Sequence, residues 1–452
     1  MKRKYFGTDG IRGRANTFPI TAEVALQAAM AAGANFRNTG HRNKVVIGKD
    51  TRLSCYMLEQ AMTAGFAAVG FDVILLGPLP TPAVAMVTRS MRADLGVMIS
   101  ASHNAYTDNG IKFFGPDGYK FSDEVEAKIE ASLDAIRAGN GAEHMVDATE
   151  VGNVERLNDV RGRYMELVKQ SFPRHLSLEG VKVVVDCAHG AAYRVAPKVL
   201  YELGAEVITL GCKPDGTNIN NQVGATSPQA LCAKVKETGA QLGIALDGDA
   251  DRIILVDENA QVVDGDQIMG MIAKNWLRRE RLSGGGIVST VMSNMGLEKS
   301  LNAQGLTLER TSVGDKNVLQ RMRTGGFNFG GEQSGHMIMT DFATTGDGLL
   351  AGLQVLAELV EQQVPASTAL SVFEPFPQIL QSVRFSGADP SENAAFKKAV
   401  VGFEEKLGSA GRILIRKSGT EPVMRVMAEG EDAALVQSIV SDLCDQIQNM
   451  PS

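Results

Sequence analysis

No uninterrupted apolar run in this chain approaches the roughly 20 residues that a bilayer-spanning helix requires, and no block of basic residues stands out. The 45 Lys and Arg against 52 Asp and Glu leave a net charge of −7, which disfavours nucleic acid and anionic membrane surfaces as partners. The five cysteines, Cys55, Cys187, Cys212, Cys232 and Cys444, are too scattered for a disulfide framework, and none forms the C-x-x-C pair of a zinc site. Reduced thiols in a cytoplasm are the expectation. The start, MKRKYFGTDGIRG, is basic but leads into glycines and an aspartate rather than the apolar stretch of a secretion signal. G-x-S-x-G is absent, as is any Ser-His-Asp spacing that would favour a hydrolase. Glycine, by contrast, is abundant, at 48 of 452 residues, against a usual level of about 7%. It follows no three-residue repeat and sits among 44% hydrophobic residues, so it belongs to loops of a folded protein.

At about 150 residues per domain, the length suggests about three domains. Short β-branched runs alternate with longer helical patterns, the rhythm of βαβ units on parallel or mixed sheets. KVVIG (44–48), VILLG and LGVMIS (from Leu95) read as strands. Ser54 offers an N-cap to a helix closed by Gly70, and Thr81 with Pro82 opens another. Ser122 begins a third, with Val125, Ile129 and Ile136 on its apolar face and Gly139 just beyond its end. The pattern restarts at Val181 and at Gly285. After about Pro365 it changes to a strand, a helix from Glu392 to Leu407, paired strands around RILIRKSGTEPVMRVMAE and a final amphipathic helix. The expectation is an α/β protein with three related α/β domains on mixed sheets (1–155, 156–258, 259–368) and a smaller C-terminal α+β domain (369–452), arranged around a central cleft.

Four segments carry chemistry. Asp247, Asp249 and Asp251 alternate in GIALDGDADRIILVD between two runs of strand length. Carboxylates this close repel, and a hard cation with oxygen ligands offsets that cost. An EF-hand would need glycine where Arg252 stands, and helical flanks; Mg²⁺ fits better, and a solvated acidic hairpin is the bland alternative. Directly after LGVMIS, SASHNAYTDNGIKFFG places Ser102 at the carboxyl end of a strand, where α/β proteins hold nucleophiles. His103 and Asn104 follow in the turn, and Lys112 on the returning strand is suited to neutralise charge or move a proton. The same residue types are ordinary turn formers. In FNFGGEQSGH, glycines frame Glu332, Gln333, Ser334 and His336, a mixture of donors and acceptors suited to sugar hydroxyls. RKSGTEPVMR offers Arg416, Ser418, Gly419, Thr420 and Arg425 as a phosphate cradle. Arg12, Lys49, Arg52 and Lys316 are further cations, for a phosphate or for the solvated surface.

Together with FGTDGIRG at the start, these motifs resemble, in order and over nearly the whole length, the α-D-phosphohexomutase family. The resemblance implies that Ser102 is a phosphoserine and that Asp247, Asp249 and Asp251 hold Mg²⁺ with it, flanked by Arg252. It implies proton transfer near Lys112 and His336, with Arg12 among the catalytic residues. Glu332 and Ser334 would meet sugar hydroxyls, Lys316 the substrate, and Arg416, Ser418, Gly419, Thr420 and Arg425 the distal phosphate. Gln333 stands where mannose- and glucose-specific relatives usually carry methionine, which points to glucosamine phosphates and to glucosamine 1,6-bisphosphate as intermediate. The implied partner is a small phosphosugar, with a homodimer as a further expectation. A phosphomannomutase or phosphoglucomutase, and a non-catalytic sugar-phosphate sensor, are the rival readings. Ala105 replaces a proline common after ASHN, and Cys55 a glycine common in relatives; neither change removes a reacting group.

Overall fold

The computed structural model describes residues 4–386, 389–417 and 422–450. Four sheets organise them. The first has six strands in the spatial order Ile11–Arg14, Asp108–Phe114, Leu95–Ile99, Asn43–Lys49, Phe71–Pro78 and Val154–Arg156. Its last four strands run parallel, while Asp108–Phe114 returns antiparallel to Leu95–Ile99. The second sheet has a parallel centre, Leu242–Leu246, Lys182–Asp186 and Glu206–Leu210, with Ile253–Asp257 returning antiparallel. In the third, Thr307–Thr311, Gly286–Thr290 and Phe329–Gly331 are parallel and Met337–Met339 returns antiparallel. The fourth is an antiparallel trio, Gln378–Arg384, Val423–Gly430 and Gly411–Lys417. The fold is the α/β architecture expected. Val262–Val263 pairs into the second sheet beyond residue 258, the boundary read from the sequence.

Strand alternation sorts side chains to two faces. Val45 and Ile47 of the central strand join Val73, Leu75, Val97 and Ile99 in a core beneath the helices Ala22–Phe36 and Leu53–Ala68. Val46, Ile74 and Met98 face the other way, into a core continuous with that of the second and third sheets. Sharing one apolar core sets the first three units at fixed positions relative to one another. The helix Gly348–Gln362 is a strut in it: Asp347 caps its first turn through Leu350 N and also accepts from the Tyr164 hydroxyl at 2.9 Å.

Of the three helix caps read from the sequence, one holds. Ser122 accepts from Val125 N as expected. Ser54, however, lies inside the helix Leu53–Ala68 and accepts from Asn109 instead. Pro80, not Thr81, is the N-cap of Thr81–Ser90. The Thr81 hydroxyl is thereby free for a long-range partner.

Candidate active site

The three motifs of the first three sheets occupy one structural position, the loop by which a parallel strand turns into its antiparallel neighbour. The serine loop joins Leu95–Ile99 to Asp108–Phe114, the aspartate loop joins Leu242–Leu246 to Ile253–Asp257, and the glycine-framed loop joins Phe329–Gly331 to Met337–Met339.

Ser102 is buried and holds a left-handed backbone, φ 54°, a conformation that costs a β-carbon-bearing residue about 1–3 kcal/mol and persists only where its surroundings enforce it. Here they do. Ser102 N donates to the Ser100 hydroxyl at 2.9 Å, and Ser102 O accepts from Arg52 and Asn220, each at 2.9 Å. The Arg52 guanidinium, fully buried and paired with Asp50 at 2.7 Å, also donates to the carbonyls of Asn104, Ala105 and Asp108. Arg52 is therefore the internal scaffold of the serine loop, not a phosphate ligand or a surface charge. It grips Ala105 O within the turn. Lys49 is likewise withdrawn from any ligand, in a buried pair with Glu59 at 2.7 Å.

Asp247, Asp249 and Asp251 are buried, and one oxygen from each lies within 4.8 Å of the others. The Ser102 hydroxyl donates to Asp247 Oδ2 at 2.6 Å, so the first and second sheets meet at the nucleophile. Thr81 donates to Asp249 Oδ2 at 2.6 Å, and its backbone N–H to Asp249 O at 2.9 Å. Asp249 Oδ1 and Asp251 Oδ1 are buried with no hydrogen-bond partner. Buried carboxylate oxygens left unpaired are the donor set of a hard divalent cation, so the three side chains fit a metal site and are no solvated hairpin. Burial first, and then repulsion from Asp251 and Asp249, pushes the Asp247 carboxyl up to about 8. Asp251, against its own burial, is held well below the usual carboxylate range by Lys112 and His336.

Lys112, from the returning strand of the first sheet, lies 2.8 Å from Asp249, 3.3 Å from Asp9 and 3.4 Å from Asp251. Burial favours its neutral form, yet Asp249, Asp9 and Asp251 overcome that and hold it as an ammonium. Asp9 also pairs with Arg12 and with Lys120, whose Nζ reaches Asp315 at 2.5 Å on the third unit. His336 stands between Asp251, at 3.8 Å, and Asp315, at 3.7 Å. Its own burial disfavours the charged form, but Asp251 and Asp315 raise it above the ordinary imidazole value. His103, beside Ser102 at 3.3 Å, is driven by burial and by Arg252 and Arg12 down to about 4 and is neutral at pH 7. Arg252 sends its backbone N–H to Asp247, and its buried Nε has no partner.

The glycine-framed turn docks directly on the aspartate hairpin: Ile253 N donates to Gly335 O at 3.0 Å, and Arg252 bridges His336. Gly335 has φ +90°, and a β-carbon there would lie 1.9 Å from Ile253 O, so only glycine fits. Glu332 is buried and accepts from Gly314 N at 3.1 Å, while Ser334 is exposed and Gln333 half-buried. Lys316 pairs with Glu126 of the first unit. In the fourth sheet Arg416 and Arg425 are directly opposed across paired strands. With Leu380, Leu414 and Met427 they line a cavity closed by Met292 and Val313 of the third unit. Ser418, Gly419 and Thr420 lie outside the described residues.

Asp9, Lys120, Asp315 and Asn220 went unnoticed in the sequence, and Thr81 was read only as a helix start. Each reaches the site through a partner more than 100 residues away, so no local spacing signals it.

Four family models cover the chain in order: phosphoglucomutase/phosphomannomutase α/β/α domain I (3–140), domain II (162–261), domain III (264–376) and the C-terminal domain (380–446). The phosphoglucosamine mutase of Rhodospirillum centenum is 61% identical over 99% of this chain and 96% of that protein. That of Novosphingobium aromaticivorans is 60% identical over 99% of both. A phosphoglucomutase/phosphomannomutase family protein of Burkholderia thailandensis superposes with a TM-score of 0.79 at 24% identity, over 96% of this chain and 94% of that one. With all four domains matched in order and sequence identity sustained end to end, the chain belongs to the α-D-phosphohexomutase family of phosphoglucomutases, phosphomannomutases and phosphoglucosamine mutases.

Proposed function

We propose that this protein interconverts glucosamine 6-phosphate and glucosamine 1-phosphate through a phosphoserine at Ser102 and a glucosamine 1,6-bisphosphate intermediate. The observation that carries the reading is the Ser102 hydroxyl, 2.6 Å from Asp247 within the buried aspartate cluster. Mg²⁺ held by Asp247, Asp249, Asp251 and the phosphoserine would neutralise charge on the transferring group. The phosphoryl group leaves the Ser102 oxygen as a bond forms from phosphorus to a sugar hydroxyl. That hydroxyl's proton passes to the uncharged form of His336, whose buried Nε2 has no hydrogen-bond partner and whose hold on a proton Asp251 and Asp315 strengthen. Lys112, fixed as an ammonium, and Arg12 and Arg252 balance the phosphoryl oxygens. The bisphosphate then turns over, presents its other phosphate to Ser102, and the steps run in reverse.

Glu332, Gln333 and Ser334 face the sugar, and Arg416 and Arg425, with Ser418, Gly419 and Thr420, receive whichever phosphate is not reacting. Lys316 joins them by leaving Glu126 as the fourth domain closes. Among the described residues no helix is long and apolar enough to cross a membrane, and all five cysteines are free; both support a cytoplasmic site of action. The test is Ser102→Ala. The variant should lose the phosphoryl mass increment in intact-mass measurements together with all conversion of glucosamine 6-phosphate. Full mutase activity in that variant overturns the proposal. Parallel assays on the glucosamine, mannose and glucose phosphates decide the sugar, with a preference for either of the last two assigning the rival activity.

A further inference from the structure

Two cysteines play no part in the phosphoryl-transfer site, yet they stand next to it. Cys187 follows the strand Lys182–Asp186, and Cys212 lies two residues beyond its parallel neighbour Glu206–Leu210, the two strands ending at paired Asp186 and Leu210. One carbonyl oxygen, Leu210 O, receives both the Cys187 N–H and the Cys212 thiol, each at 3.1 Å. The Cys187 thiol donates to Ala192 O at 3.7 Å, and Cys212 packs against the apolar cluster that contains Cys187. Cys187 is wholly buried, whereas Cys212 is partly exposed. Cys187 and Cys212 lie one and two residues beyond the Asp186 and Leu210 pair, on chains leaving adjacent parallel strands, and a disulfide bridges Cα atoms about 4.4–6.8 Å apart.

The turn that follows Cys187 touches both reacting loops. Ala188 and His189 hold left-handed backbones, φ 54° and 52°. Ala188 O accepts from Asn220 N, and the Asn220 side chain donates to Ser102 O and Asn104 O. Ala191 N donates to Gly248 O, inside the aspartate loop, at 2.8 Å. His189 O accepts from Thr51 at 2.6 Å, and His189 Nδ1 from Lys213 N, next to Cys212. A change of covalent geometry at the thiols therefore reaches the serine and aspartate loops through a single layer of hydrogen bonds.

We propose that Cys187 and Cys212 form a dithiol site that closes to a disulfide on exposure to peroxide and slows turnover by displacing the 188–191 turn. The Cys212 thiolate attacks hydrogen peroxide, breaking its O–O bond to give a sulfenic acid and, with a proton, water. Cys187 sulfur then attacks the Cys212 sulfur, and the departing hydroxide leaves as water with the Cys187 proton. The two sulfurs supply the two electrons that the peroxide takes up, and a dithiol reductant reverses the change by exchange. The roles follow from access and charge. Cys212 is the open one, and its interaction with Cys187 lowers it below the ordinary thiol value, while that interaction and burial hold Cys187 well above it.

Full-length protein is treated with hydrogen peroxide, its remaining thiols are blocked with iodoacetamide in urea, and the digest is sequenced by tandem mass spectrometry. A Cys187–Cys212 cross-link should accumulate while turnover falls roughly tenfold or more, as displacement of reacting loops by a fraction of an ångström predicts, and dithiothreitol should restore both. Cys212→Ser and Cys187→Ala should each turn over normally and keep that turnover through the peroxide treatment. Oxidation of Cys212 to a sulfinic acid without a cross-link overturns the proposal. So does an equal loss of activity in Cys212→Ser.

Discussion

Replacing Gly335 by alanine tests whether the placement of the glycine-framed turn, rather than its stability, sets the rate. The added β-carbon would lie 1.9 Å from Ile253 O. Real β-carbons do not approach a heavy atom closer than 3.0 Å, so the turn must retreat by more than about 1 Å. Its partner atom is backbone of the strand leaving the aspartate loop and cannot rotate away. Glu332, Ser334 and His336 move with the turn, and a displacement of about 1 Å costs a reaction of this kind about 100-fold, or roughly 2.7 kcal/mol in transition-state stabilisation. Gly326 supplies the matched control. It too is left-handed, φ +72°, but a β-carbon there meets nothing within 4 Å. Gly326→Ala should lose about 1 kcal/mol of stability from backbone strain and none of its kcat/KM. Both variants are assayed on glucosamine 6-phosphate well below their Tm, with circular dichroism to verify folding. Equal kcat/KM in the two variants, or a Gly335→Ala effect confined to Tm, refutes the reasoning.

Asp249→Asn should raise the Mg²⁺ concentration needed for half-maximal turnover and lower the maximum, since Asp249 Oδ1 is one of the unpaired buried oxygens; an unchanged metal titration counts against the site. Lys120→Met leaves Asp9 and Asp315 facing one another without their shared cation and should cost about 3 kcal/mol, read by denaturant unfolding. Adding Asp315→Asn should recover part of that loss, and a double variant weaker than the single one would contradict the charge argument. Burial pushes Asp266 up to about 7, whereas in the unfolded chain it titrates near 3.9. The folded state therefore binds more protons between those values, and this contribution to stability is full below about pH 4 and lost as pH rises to about 7. Asp266→Asn should flatten the decline of Tm with pH in that window, and an unaltered slope excludes Asp266 as its source.

The parts of this site that could be read from sequence were those in which chemistry and local pattern coincide. Asp247, Asp249 and Asp251 lie within five residues between two strand-forming runs, and Ser102 follows directly on a buried strand. Their meeting was not legible, because Ser102 and Asp247 are 145 residues apart in the chain. Misreadings had the same origin. Arg52 in GKDTR looks like any exposed cation until Asp50 and four loop carbonyls surround it. Thr81 before Pro82 has the form of a helix cap, and only the fold puts Asp249 opposite its hydroxyl. The clefts between units, where Lys120 joins Asp9 to Asp315, rest on packing that no local periodicity encodes.

The hairpin placement of the reacting loops makes their length a chemical property. In the strand after the aspartate loop, Ile253 and Leu255 belong to the large shared core, while Ile254 and Val256 face the small cluster around Leu231 and Val235. Deleting one residue between Asp247 and Arg252 leaves the strand two outcomes. It can slip by one place and exchange those two faces, or it can stay in register and pull the loop flat, separating Asp251 from Asp247. Either way the counting of residues, and not only their identity, holds three carboxylates at one point.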